Sequence, residues 1–184
     1  MQNNMQLKII ATVALLACLG LTEKAQAFNQ QDMDQLKTSR SCPRCDLSGA
    51  DLTQANLAGA NLREANLNGA TLSGANLRNA DLSSANLEAA VMNSTNLSGA
   101  SLTGANLKSA SLENANLTFA GLISTNLEAA NFKGAKLDFT NFRGAYFRLT
   151  TLPVGTVTSD KPYGWSLQEG TDQPKKKPQV ARKK

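Results

Sequence analysis

From Leu47 to Phe147 an apolar residue returns at every fifth position without a break: twenty-one sites, seventeen of them Leu, the others Met92, Phe132, Phe142 and Phe147. Two residues before each stands a small one: seventeen Ala, three Thr (Thr95, Thr125, Thr140) and Cys45. The unit reads Ala, then Asn, Asp, Ser or Thr, then Leu and two variable residues, as in Ala50-Asp51-Leu52-Thr53-Gln54 and Ala75-Asn76-Leu77-Arg78-Asn79. Five steps of an α-helix rotate successive Leu side chains by about 140°, so no helix face collects them. On a flat strand an odd period sends alternate Leu to opposite faces. A chain that turns a corner in every repeat escapes both failures, because each Leu and each Ala then points to one interior.

Four right-angle corners close a coil of twenty residues, and stacked coils pair through backbone hydrogen bonds at about 4.8 Å spacing. The apolar sites supply about five coils and a rod on the order of 25 Å long. The small residue is needed because four side chains converge on a narrow axis. Burying the Leu side chains at roughly 2 kcal/mol each offsets much of the cost of ordering the chain.

This repeat resembles the pentapeptide-repeat family over Cys45 to about Thr151. The resemblance implies an all-β fold, a right-handed quadrilateral parallel β-helix. The stretch from Leu36 to Ala50, with its Cys42-Pro43-Arg44-Cys45, is similar to the head of exported members common in cyanobacteria, which implies the periplasm or the thylakoid lumen as destination.

The chain divides into four segments: a signal peptide over 1–27, a head with a short capping helix over 28–44, the β-helix over 45–152, and a basic, largely disordered extension over 153–184. Residues 1–27 join a polar start with Lys8, an apolar stretch Ile9–Leu21 and a small-x-small ending Ala25-Gln26-Ala27, which predicts cleavage after Ala27. Thirteen apolar residues are too few to span a bilayer as a helix. The competing reading takes Leu15-Leu16-Ala17-Cys18 as a lipobox and Cys18 as a lipidated, membrane-anchored N-terminus. In the head, Asn29 suits an N-cap, Asp32 and Asp34 sit early, and Lys37 and Arg40 sit late, matching a helix dipole. Leu152-Pro153-Val154-Gly155 breaks the period, and from Thr171 the chain is rich in Lys, Gln and Pro.

The net charge of +5 lies outside the repeat region. Residues 28–152 hold ten basic and ten acidic side chains, while 153–184 hold seven basic and three acidic. A neutral body with a basic tail argues against nucleic acid on the folded surface. It also argues against the acidic DNA mimicry by which some family members inhibit topoisomerases. The six basic residues between Lys175 and Lys184 read as a solubilising tail, or as a tether to anionic lipid or nucleic acid.

There is no His, which removes the commonest general base and the commonest zinc ligand. The one reactive constellation is Cys42-Pro43-Arg44-Cys45. A redox role for it needs a thioredoxin-like βαβ setting that the repeat does not provide. The adopted reading is a disulfide that pins the head to the first coil, with two free thiols or a redox pair as alternatives. No enzyme, cofactor or metal site is expected.

With twenty residues per coil, residue i stacks on i+20. One outward column then reads Asn56, Asn76, Asn96, Asn116, Lys136, an amide ladder. Another alternates in sign, Glu88, Lys108, Glu128, Arg148, with Glu113 over Lys133 on the next face. The departure is Phe119 stacked on Phe139, with Ile123 close by, an outward apolar patch expected to dock a partner protein or this chain's own Tyr163 and Trp165. The sequence thus reads as a non-enzymatic scaffold or interaction module of an extracytoplasmic space. Membrane contact is expected only through the basic tail or a lipidated Cys18.

Overall fold

The computed structural model describes residues 28–158. The expected leader with Cys18 and the expected cleavage after Ala27, together with Tyr163, Trp165 and the basic tail, lie outside the described residues. Parallel bridges pair residue i with i+20 in an unbroken series from Ser41–Asn61 to Asn131–Thr151. They form four columns, starting at Ser41, Asp46, Asp51 and Asn56, one for each side of a twenty-residue coil. The first bridged residue is Ser41, four residues before Cys45, where the repeat was taken to begin. Cys42 fills the inward site that Leu holds in later repeats and is fully buried. The period hid this start because Cys replaces the expected aliphatic residue.

Each repeat satisfies its own backbone. In the repeat around Leu62, the Leu62 N–H donates to Asp81 O at 2.7 Å and the Glu64 N–H to Ser83 O at 2.9 Å, both in the next coil. The Asn61 N–H donates back to Arg40 O at 2.9 Å, and the Ala65 N–H closes the corner on Leu62 O at 3.2 Å. One N–H per repeat, that of the residue after Leu, has no carbonyl in reach. Where the residue before the core position is Asn or Asp, its side chain takes it: Asn76 Oδ1 accepts from the Arg78 N–H at 3.2 Å, Asp81 Oδ1 from Ser83 at 3.0 Å, Asn126 Oδ1 from Glu128 at 3.0 Å. This is the physical reason for Asn and Asp at that position, since a short carbonyl side chain bonds the amide two residues on.

The second corner residue sits in the left-handed region, at φ 65° in Gly49, 57° in Gln54 and 56° in Asn79. Glycine is free there, and Asn and Ser tolerate it. Inside the coils the Leu side chains from Leu62 to Leu127 are buried, with Ala between them. Where Thr replaces Ala, its hydroxyl donates to a Leu carbonyl of the coil before: Thr95 to Leu72 at 2.8 Å, Thr125 to Leu102 at 3.1 Å, Thr140 to Leu117 at 2.7 Å and Thr150 to Leu127 at 2.7 Å. These hydroxyls are buried and satisfied, so they add a cross-coil bond where Ala would add none.

The two ends differ. Helix α1, Gln30–Ser39, begins at Asn29, whose side chain accepts from the Gln31 N–H at 2.9 Å, and ends at Arg40 in the left-handed region. It buries Met33 and Leu36 over the first coil. Asp32 Oδ2 accepts from the Asp46 N–H at 2.7 Å, and the Asn29 N–H donates to Asp46 O at 3.0 Å. Beside it the Cys42 and Cys45 sulfurs lie at disulfide distance, with Cα atoms 5.3 Å apart. At the other end Phe132, Phe142 and Phe147 take over the core, Phe132 edge-on to Phe142 at 6.3 Å and Phe142 tilted on Phe147 at 5.3 Å. The chain then reverses at Gly155, φ 85°, and Val157 pairs antiparallel with Thr151.

Candidate functional site

The corner residues and the residue before each core position vary and face outward, so the surface is written there. Phe119 and Phe139 occupy successive left-handed corners of one column, at φ 61° and 55°. In the coils before, that column holds Asn79 and Gly99. Their rings stack face to face, centroids 5.0 Å apart and 5° from parallel, and each is about two-thirds exposed (66% and 65%). A bulky residue in this backbone region costs about 1–2 kcal/mol against a helical or extended one. The packing of the core gains nothing from these rings, since they face away from it. Ile123, on the next side of the coil, is half-buried.

The polar columns are ordered differently from the expectation. In the column that begins at Asn56, Asn76 Nδ2 donates to Asn56 Oδ1 at 3.3 Å. The longer chain of amides runs on another side: Asn66 to Asp46 at 3.0 Å, Asn86 to Asn66 at 3.3 Å, Asn106 to Asn86 at 3.3 Å and Asn126 to Asn106 at 3.1 Å. Both columns look alike in sequence. Sequence alone does not show which amides will spend a proton on each other, because every Asn in these columns has the same corner amide to accept.

The charged column pairs from Lys108 on: Lys108 Nζ lies 3.7 Å from Glu128, and Arg148 lies 3.8 Å from the same carboxylate. Glu88 accepts from Asn106 Nδ2 at 3.2 Å, and Glu113 accepts from Asn131 Nδ2 at 2.7 Å rather than pairing with Lys133. Two ion pairs were not anticipated, Arg44–Glu64 at 2.8 Å and Arg63–Asp81 at 3.3 Å. The first follows the twenty-residue stack. The second joins residues eighteen apart, a diagonal that reading by columns misses.

The carboxylates of the first coils are held in their charged form. The Thr53 hydrogen bonds lower the Asp51 pKa, and the Ser48 hydrogen bonds lower that of Asp46, opposed slightly by burial and helped by Asn66. The Arg44 guanidinium lowers Glu64 and is itself raised. At Asp81 burial pushes the pKa up, but the Ser83 hydrogen bonds and Arg63 together outweigh it and the net direction is down. None of these groups is a base or acid poised near neutral pH. Among the described residues no cluster of three or more His, Cys, Asp or Glu is placed to hold a metal, and no helix is long and apolar enough to cross a membrane.

Solved structures resemble this chain. A pentapeptide-repeat protein from the cyanobacterium Cyanothece 51142 is 34% identical over 62% of this chain and 92% of its own, with a TM-score of 0.43. HetL, a pentapeptide-repeat protein involved in heterocyst differentiation regulation in Nostoc sp. strain PCC 7120, is 32% identical over 64% and 68%, TM-score 0.29. A pentapeptide-repeat protein of the Arabidopsis thaliana thylakoid lumen is 35% identical over 55% and 68%, TM-score 0.30. No curated protein sequence matches the chain. The family model for pentapeptide repeats matches residues 45–83, 80–118 and 110–148, more than half of the 184 residues and the same segment that the bridges order into coils. The chain therefore belongs to the pentapeptide-repeat family.

Proposed function

We propose that this protein is a non-enzymatic scaffold, an exported rod that presents one edge to a protein partner in the periplasm or thylakoid lumen. The observation that carries the reading is the Phe119–Phe139 stack: two exposed rings at backbone positions that favour Gly, Asn or Ser. Side chains kept there against backbone preference, and outside the core, serve contact rather than folding. The absence of His from the sequence supports a binding role over a catalytic one. The leader ending at Ala27 and the cyanobacterial type of the head support export, and the Cys42–Cys45 pairing suits an oxidising compartment.

The test is a photo-crosslinking amino acid placed at Phe119, at Phe139, and at Ser109 on another corner, in cells that make the protein. The reading expects one partner crosslinked from 119 and 139 and not from 109. Equal crosslinks from all three positions, or none from 119 and 139, would overturn it. Intact mass of the protein from the extracytoplasmic fraction tests export: a chain that starts at Phe28 is expected, and a lipid on Cys18 would replace the soluble rod with an anchored one.

A further inference from the structure

Among the described residues every large exposed apolar side chain lies between Phe119 and Val157. Apart from the Phe119–Phe139 stack, these are Tyr146, Leu149, Val154 and Val157, all in the last turn of chain and its reversal. Leu149 repeats the anomaly of the two Phe residues: it is half exposed (51%) at a left-handed corner, φ 55°, where the same column holds Ala129 and Ser109. Charge is segregated in the same direction. Residues 28–100 carry five basic and seven acidic side chains, and 101–158 carry five basic and three acidic. Four of the latter basic residues fall in four consecutive repeats, Lys133, Lys136, Arg143 and Arg148, so that each side of the last full coil presents one exposed cation. The carboxylate in this ring is Asp138, and Arg148 also reaches Glu128.

We infer that the C-terminal end of the rod seats end-on against an anionic lipid surface, with Leu149, Val154, Val157 and Tyr146 entering the headgroup region and the four cations facing the lipid phosphates. Two features favour a membrane over a second protein. Lys133 and Arg143 are ten residues, half a coil, apart, and so leave opposite corners of the rod, with Lys136 and Arg148 on the sides between. No single flat protein face gathers side chains that diverge in this way, whereas a soft interface approached along the rod axis receives all of them. A belt of Lys and Arg just inside an apolar rim is also the arrangement in which cationic heads stay with the phosphates while apolar groups enter. The body as a whole is neutral, but its end is not, and the basic tail that continues from this end adds charge of the same sign.

The experiment is co-sedimentation of the purified protein with vesicles of phosphatidylglycerol mixed with phosphatidylcholine, against phosphatidylcholine alone. Three variants are compared: Leu149→Ser with Val154→Ser and Val157→Thr; Lys133→Gln with Lys136→Gln and Arg143→Gln; and truncation after Gln173. Leu149→Ser removes a strained residue at a corner that Ser109 already fills, so it leaves the coil intact. The inference expects binding to the anionic vesicles only, reduced about tenfold or more by the apolar variant and several-fold by the charge variant, with salt weakening the wild type more steeply than the charge variant. It is overturned if the wild type ignores anionic vesicles, or if truncation abolishes binding that both other variants retain, which would make the tail a simple tether. Dissociation of a dimer by the apolar variant, with vesicle binding unchanged, would assign the end to a second copy and equally overturn it.

Discussion

The first and last coils follow one repeat rule and end in opposite ways. At the N-terminal end a helix covers the open coil, two cysteines sit at disulfide distance beneath it, and carboxylates tie the first coils together through Arg44–Glu64, Arg63–Asp81 and Asp32 on the Asp46 N–H. At the C-terminal end no helix caps the described chain; Phe residues enlarge the core, and apolar side chains stand in water. A solenoid must hide its terminal backbone at both ends. Here one end hides it by covering, and the other only by folding Thr156 to Thr158 back onto the last coil, where the Leu149 N–H donates to Thr158 O at 2.9 Å.

The sharpest way to break the contrast is through the core. Phe132→Ala is expected to destabilise by about 4 kcal/mol and Leu62→Ala by about 3 kcal/mol. Because coils of a solenoid couple mainly to their neighbours, amide hydrogen exchange should show the loss confined to the mutated half in each case. Uniform loss along the rod would show that the two ends are one cooperative unit. Next in size, replacing both Cys42 and Cys45 by Ala should cost about 2 kcal/mol, as expected for a short closed loop, and speed exchange in α1 and the first coil while leaving Asn126 to Thr151 unchanged.

A buried hydroxyl comes third. Thr125→Val removes the bond to Leu102 O without changing shape and should lower the unfolding free energy by about 1 kcal/mol. At the open end the sign reverses: Phe139→Asn relieves left-handed strain and loses one ring contact, for a net gain of about 0.5 kcal/mol, readable as a higher denaturant midpoint. A clear loss there would mean that the stack belongs to the fold rather than to the surface.

Acid sharpens the comparison from the other side. Asp46, Asp51, Glu64 and Asp81 all have pKa values below their ordinary ones in the folded chain, and all lie before residue 100. Their contribution is fully present above the ordinary carboxylate range and fades as the pH falls through that range toward the lowered folded values. Exchange at low pH should therefore quicken in the first coils before the last. The reverse order would show that the caps, not the carboxylates, set the stability of that end.

How much of this could be read beforehand follows from what each residue type is asked to do. Leu at every fifth place leaves one geometry open, so the twenty-residue register and the stacking of Phe119 on Phe139 were legible from spacing alone. The start at Ser41 was not, because Cys42 serves in a Leu site without resembling one. Asn and Asp before Leu were visible as a pattern, yet their role, accepting the one N–H that no carbonyl reaches, required the corner geometry. The choice between two Asn columns for the amide ladder, and the diagonal Arg63–Asp81 pair, turned on side-chain placement of an ångström or two, which no spacing encodes. The apolar end at Leu149 and Val157 was not foreseen, because only the fold shows that these side chains lie outside the core.

The pairing of residue i with i+20 has a further consequence for how such a rod changes over generations. Inserting a single residue would throw every later side chain out of phase with the interior. Inserting one whole unit leaves each Leu and Ala pointing inward, yet advances everything beyond it by a quarter turn. A duplication between Ala120 and Ala135 would thus keep the interior and carry Phe139 away from Phe119 to the neighbouring edge. The interior cannot sense such a step, whereas the outer edges are re-dealt by it, so a lineage can search new surface combinations by copying five codons at a time without passing through an unfolded ancestor.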